Sequence, residues 1–167
     1  NFNITPDILL IAKGMGGGMP LGAFVAPKEI MQCLTNQPVL GHITTFGGHP
    51  VSCAASLATI NVLEQEKLVE QVHKKESYII SKIQNNPIIK NIRSVGLLLA
   101  IEFESAEINF KVIQNCIQNG VITDWFLFND QSLRLAPPLT ITFEELDSAT
   151  EKINLSIQQT AESLALL

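Results

Sequence analysis

A chain of 167 residues, 46% of them apolar and 16% charged, has room for one compact domain, or for a small domain joined to part of a larger one. A net charge of -5 and an isoelectric point near 5.1 argue against nucleic acid as a partner, since the eleven basic residues are scattered and Lys74-Lys75 is the only adjacent pair. The longest apolar runs, Ile8 to Ala12 and Val95 to Ile101, are strand-sized, so no membrane span is expected. In chain order, Asp7 to Ala12 follows Pro6 as a continuous apolar run, the pattern of a strand buried on both faces. It stops at Lys13, and Gly14-Met15-Gly16-Gly17-Gly18-Met19-Pro20 then predicts a tight turn with closely approachable backbone. Leu21 to Ala26 reads as a second short strand, and Pro27 opens a helix at its first turn.

Thr44 to Pro50 reads as a loop. From Val51 to about Val72 apolar residues recur at helical spacing, with small residues in the first half that predict tight packing against a sheet. A second helix passes through Ile79 and Ile83 and ends near Asn85-Asn86-Pro87. Val95 to Phe103 then reads as a buried strand, and Glu107 to Gln118 as a helix stopped by Asn119-Gly120. Val121 to Leu127 and Ser132 to Ala136 are predicted to pair around Asn129-Asp130. A terminal helix covers Phe143 to Leu166, with Thr142 and Glu145 spaced as a capping box. The pattern is an α/β portion over residues 1–60, then a linking helix and small α+β domain over residues 61–167.

Lys13 is the residue with the most chemistry. One reading makes it a surface lysine that ends a strand. The other starts from its setting: apolar strand and glycine backbone would partly desolvate the amine and favour the neutral form that Schiff-base chemistry requires. A nucleotide cradle does not fit. In a P-loop the lysine follows the glycines, here it precedes them, and no G-x-G-x-x-G opens a helix. Thr45, in Thr44-Thr45-Phe46-Gly47-Gly48-His49-Pro50, suits either a phosphate contact or a cap on the following helix. Arg134, in Leu133-Arg134-Leu135-Ala136-Pro137-Pro138-Leu139, suits either a fork onto a ligand carboxylate or an internal ion pair with an acid such as Asp130.

The segment Pro6 to Ala23 closely resembles the lysine segment of class III aminotransferases, a family that includes acetylornithine, ornithine and 4-aminobutyrate aminotransferases. The resemblance implies that Lys13 forms a Schiff base with pyridoxal 5'-phosphate and then shuttles a proton. The block Gly41 to Pro50 is similar to the family's Thr-Tyr/Phe-Gly-Gly-Asn-Pro segment, departing from it at His49. It implies that Thr45 binds the cofactor phosphate across the interface of a homodimer. Arg93 to Ile101 resembles the Arg-x-x-Gly-Leu segment that opens the small domain, where Gly96 is structural. Leu133 to Leu139 resembles the Arg-x-x-Pro-Pro/Ala-Leu motif, which implies that Arg134 forks onto the substrate carboxylate.

The implied fold is the C-terminal part of a fold-type I pyridoxal-phosphate-dependent transferase, with a remnant of the large α/β domain and a small α+β domain. The family's acid against the pyridine nitrogen, its aromatic ring on the cofactor face and its Gly-Ser/Thr phosphate loop come before the lysine and are not in this sequence. The chain also opens without methionine, so it is expected to belong to a longer protein and to be inactive by itself. The implied reaction is ping-pong transamination between an ω-amino acid such as ornithine or acetylornithine and 2-oxoglutarate. The other readings are a non-catalytic phosphate-ligand-binding module, a dimerisation fragment, or a related aminomutase or decarboxylase.

His42, His49 and His73 lack metal-ligand spacing, Trp125 reads as core, and Glu64, Glu66, Lys67 and Glu70 as a solvated face. Cys33, Cys53 and Cys116, odd in number and without C-x-x-C, suggest reduced thiols in a cytoplasm, and no signal peptide is expected.

Overall fold

The computed structural model describes residues 3–35, 37–83 and 86–165. The chain forms two compact units, Asn1–Lys67 and Leu68–Leu167.

In the first unit, β1 (Leu9–Ile11) pairs antiparallel with β2 (Ala23–Val25), placing Leu9 opposite Val25 and Ile11 opposite Ala23. Between them lies a 3-10 turn, Lys13–Gly16. A single turn of helix, α1 (Lys28–Met31), begins after Pro27 and runs into a 3-10 turn, Gln32–Leu34. The helix α2 (Pro50–Gln65) carries Pro50 in its first turn, where a missing N–H costs nothing.

Two expectations fail here. β1 is not buried on both faces: Leu10 is 78% exposed, and Phe24 opposite it 45%. The apolar run asks for covering layers, but among the described residues of the first unit β1 has only one other strand beside it. The helix predicted to reach Val72 stops at Gln65, because Lys67 turns into the left-handed region (φ 51). The small residues of α2 also serve another purpose than sheet packing. They receive the glycine turn: a side chain at Gly17 (φ +58) would sit 2.8 Å from the Ala55 carbonyl oxygen.

The second unit begins with a 3-10 turn, Val69–Gln71, and α3 (Val72–Ile83). Its antiparallel sheet has β3 (Asn91–Val95), β4 (Leu98–Glu102), β5 (Asp124–Phe126) and β6 (Asn129–Leu135), in the order β3-β4-β6-β5. Helices α4 (Ala106–Gln118) and α5 (Phe143–Ala165) complete it. The strand predicted over Val95 to Phe103 is instead half of a hairpin. Gly96 (φ 62) and Leu97 turn the chain, and positive φ at the first turn residue matches the twist of the flanking strands. The β5–β6 turn falls at Leu127-Phe128, two residues before the expected Asn129-Asp130.

Alternation in β4 sends Leu99 and Ile101, and Phe103 just beyond the strand, to one face, where they meet Leu133 of β6; all four are fully buried. Val112 and Cys116 of α4, Ile79 and Ile83 of α3, and Leu146, Ile153 and Ile157 of α5 close this core. Each fully buried aliphatic side chain contributes about 1.5–3 kcal/mol. The Asn119-Gly120 stop and the Thr142–Glu145 box fall as the sequence indicates: Gly120 takes φ 86 after α4, and Thr142 and Glu145 exchange hydrogen bonds of 2.8 and 3.1 Å. The N-cap of α4, Ser105, accepts from the Ile108 N–H. Trp125 departs from expectation. On the edge strand β5 it remains 44% exposed and meets Phe110 edge-on at 5.3 Å, while Phe128 beyond it is 97% exposed. No helix among the described residues is long and apolar enough to cross a membrane.

Candidate active site

The path from β1 to β2 determines how Lys13 is presented. Ala12 is still extended, and Lys13 then flips to φ 56, a conformation that disfavours any side chain with a Cβ. The turn is pinned by the Met15 N–H on the Ala12 carbonyl at 3.3 Å, Gly17 on Gly14 at 3.2 Å and Met19 on Gly16 at 3.0 Å. Gly16 is buried and Gly17 lies against α2, so the turn is anchored beneath. Gly14 and Gly18, in contrast, have no heavy atom within 4 Å of where a Cβ would stand. Lys13 is exposed, so the desolvation expected from the apolar run is not supplied by this chain.

Thr45 opens the turn Thr45–Gly48 and is exposed. It does not cap α2: His49 occupies the N-cap position, with no side-chain cap bond. The turn is held by its own backbone, through Gly47 N–H on Thr44 at 3.4 Å and His49 N–H on Phe46 at 3.2 Å. Among the described residues the Thr45 hydroxyl has no hydrogen-bond partner. Lys13 and Thr45 belong to the first unit and Arg134 to the second.

Arg134 stands on β6, on the sheet face opposite the core, with Ala100 of β4 on one side and Asp124 of β5 on the other. Its Nε donates to Asp124 Oδ1 at 2.7 Å and its Nη2 to Asp124 Oδ2. The internal partner is therefore Asp124 and not Asp130, because the β5–β6 register puts Asp124 directly opposite. Asp124 is a functional candidate that the sequence reading missed; only the pairing register reveals it.

A second omission is Lys75. It is 3% exposed and donates from Nζ to the Leu139 carbonyl at 2.7 Å, fastening the Pro137-Pro138-Leu139 exit of β6 to α3. Glu76, beside it, is held below the ordinary glutamate range first by the Ser94 hydroxyl, then by His73 and the Gly96 N–H, against the opposing effect of burial. Burial pushes the Cys116 thiol up, which keeps it protonated and unreactive. His73 Nδ1 lies 3.0 Å from Glu76 Oε2. Among the described residues no three His, Cys, Asp or Glu side chains cluster to hold a metal.

A planar aldehyde cofactor with a phosphate arm fits what these residues offer. Lys13 is accessible, the backbone at Gly14 and Gly18 is open, and the Thr45 hydroxyl is uncommitted beside the open, positive-φ Gly48.

Comparison with known proteins gives the same direction. The model of the class III aminotransferase family matches residues 1–157, and the chain belongs to that family. It is similar to the ornithine aminotransferase of Toxoplasma gondii, whose solved structure has partial occupancy of pyridoxal phosphate at its active site, with 31% identity and a TM-score of 0.85. That match covers 96% of this chain and 39% of the Toxoplasma protein. The ornithine aminotransferase of Plasmodium yoelii gives 32% identity and a TM-score of 0.80, over 95% of this chain and 42% of that one. A transaminase from the marine bacterium Virgibacillus gives 27% and 0.87, over 98% and 41%. The chain thus spans about two-fifths of the length of the structures it matches. Its fold is that of the corresponding part of the pyridoxal-phosphate-dependent aminotransferases.

Proposed function

We propose that this chain is the C-terminal portion of a pyridoxal-phosphate-dependent aminotransferase that exchanges an amino group between an ω-amino acid and 2-oxoglutarate in ping-pong order. The observation that carries the reading is Lys13: an accessible amine, on a strained residue, at the head of a glycine turn anchored at Gly16 and Gly17 and open at Gly14 and Gly18. Backbone strain of this kind concentrates at functional sites. Similarity to two ornithine aminotransferases favours ornithine as the donor, with acetylornithine the alternative within the same family.

When bound, pyridoxal phosphate supplies the electron sink that stabilises negative charge left on the substrate carbon. Lys13 would hold the cofactor covalently through Nζ and, as a free amine, would take and return the proton at the substrate carbon. Arg134 receives the substrate carboxylate through its planar fork, which stays charged at any working pH. Thr45 donates its hydroxyl to a phosphate in the partner's site of a homodimer. In this reading residues 1–60 end the cofactor-binding domain, residues 61–167 supply the linking helix and small domain, the enzyme is cytoplasmic, and this portion alone is inactive.

The test is an assay of the full-length protein with ornithine, acetylornithine and other ω-amino donors, coupled to glutamate formation from 2-oxoglutarate. The reading expects glutamate equimolar with the aldehyde product, and a loss of about a thousandfold or more in kcat for Lys13→Ala. A donor consumed without glutamate would instead indicate aminomutase or decarboxylase chemistry.

A further inference from the structure

We infer that Asp124 is a positioning residue that presets Arg134 for an end-on grip on the substrate carboxylate. The inference rests on the proposed role of Arg134 and goes beyond it. A guanidinium has two edges that can each bind a carboxylate with parallel N–H bonds: a side edge of Nε with one Nη, and an end edge of both Nη atoms. Asp124 takes the side edge, through Nε at 2.7 Å and through Nη2. Both Nη1 hydrogens and the second Nη2 hydrogen remain, so the end edge stays available. Asp124 and a substrate can therefore hold the same arginine together without competing.

The surroundings agree with this division. Thr123, next to Asp124, donates its hydroxyl to the Arg134 carbonyl at 2.6 Å, so the same short segment fixes both backbone and side chain of the arginine. Arg134 lines an open groove of about 520 Å³ on the sheet face away from the core, together with Arg93, Ala100, Phe126 and Phe128. Among the described residues no acidic side chain lines that groove; Asp124 grips from outside it, and Glu102, 3.5 Å from Arg93, is likewise outside. Ala100, directly across from Arg134 on β4, has only a methyl group and leaves the guanidinium uncovered. Arg134 and Asp124 are both partly open to water, with side chains 42% and 46% exposed. A long arginine there would sample many rotamers, and the fork onto Asp124 removes that freedom before substrate arrives.

The experiment uses the full-length enzyme with its cofactor and compares Asp124→Ala, Asp124→Asn, Asp124→Glu and Arg134→Ala. Asp124→Ala and Asp124→Asn are expected to raise KM for the amino acid and for the 2-oxo acid together, about tenfold, with kcat within about twofold of the parent. Asp124→Glu, which keeps the carboxylate, brings both KM values back to within about threefold of the parent. A merely structural role would lower kcat or cofactor retention and would not track the charge. Unchanged KM in the folded Asp124→Asn variant overturns the inference. A lower KM also overturns it, because Asp124 would then be a competitor for the guanidinium. If Arg134→Ala itself leaves both KM values unchanged, the failure lies with the role given to Arg134.

Discussion

Lys75 and Leu139, 64 positions apart, are joined by one hydrogen bond: a buried ammonium on α3 donates at 2.7 Å to the carbonyl that follows Pro137-Pro138. Neither Pro137 nor Pro138 has an N–H to donate, so the chain leaving β6 is held through its carbonyls, Pro138 by the Ile141 N–H at 3.0 Å and Leu139 by Lys75. Lys75→Met keeps the aliphatic stem and removes the donor. The expected cost is about 1–3 kcal/mol for an acceptor left unpaired, read as a lower urea midpoint with an unchanged slope.

Gly17 is placed where no side chain fits. Its φ is +58, and a Cβ would meet the Ala55 carbonyl oxygen at 2.8 Å as well as the Thr59 hydroxyl. Gly17→Ala should therefore lift the lysine turn from α2, costing roughly 2 kcal/mol or more, and the full-length enzyme should lose cofactor on gel filtration more readily than the parent. Gly18→Ala separates two causes. Gly18 also has positive φ (+91) but no neighbour within 4 Å, so its substitution should show the backbone cost alone.

Acid sensitivity follows from Glu76. Its carboxylate is lowered from 4.5, first by the Ser94 hydroxyl and then by His73 and the Gly96 N–H, so the fold favours its ionised form. A group whose folded value is depressed adds stability above its ordinary value and loses it as pH falls through the folded one. Glu145, held down by the Thr142 N–H and hydroxyl, has the same sign. The melting temperature should therefore fall as pH drops below about 4.5, and Glu76→Gln should flatten that slope while lowering stability at pH 7.

The three cysteines differ in reach. Cys116 is fully buried with its thiol pushed up, whereas Cys33 and Cys53 are exposed in their unit. Maleimide labelling under native conditions should spare Cys116 until denaturant unfolds the second unit. Peptide mapping would show this as a label that appears along the unfolding curve.

What the sequence made readable was local. The Thr142–Glu145 capping box, the stop at Asn119-Gly120 and the turn after Lys13 each rest on residues within a few positions of one another. The features that escaped depend on distant partners or on a single dihedral angle. Gly96 turns a hairpin inside an apolar run that offers no polar break, and Lys67 ends a helix without glycine or proline to mark it. Asp124 faces Arg134 only through the β5–β6 register, and Lys75 is buried although it sits next to another lysine. The exposure of β1 was hidden because a continuous apolar run states only what a strand tolerates, not what covers it. For the same reason Lys13 was legible as a candidate from its glycines, while its strained φ of 56 was not.

The central claim is that Lys13 carries the cofactor, and trapping tests it most directly. The full-length protein is mixed with pyridoxal phosphate, reduced with borohydride, digested and mapped by mass spectrometry. The account predicts a phosphopyridoxyl group on Lys13, absent in Lys13→Arg. Label on another lysine, or none on well-folded protein, would contradict it and leave the turn as a site for a phosphate-bearing ligand without covalent chemistry.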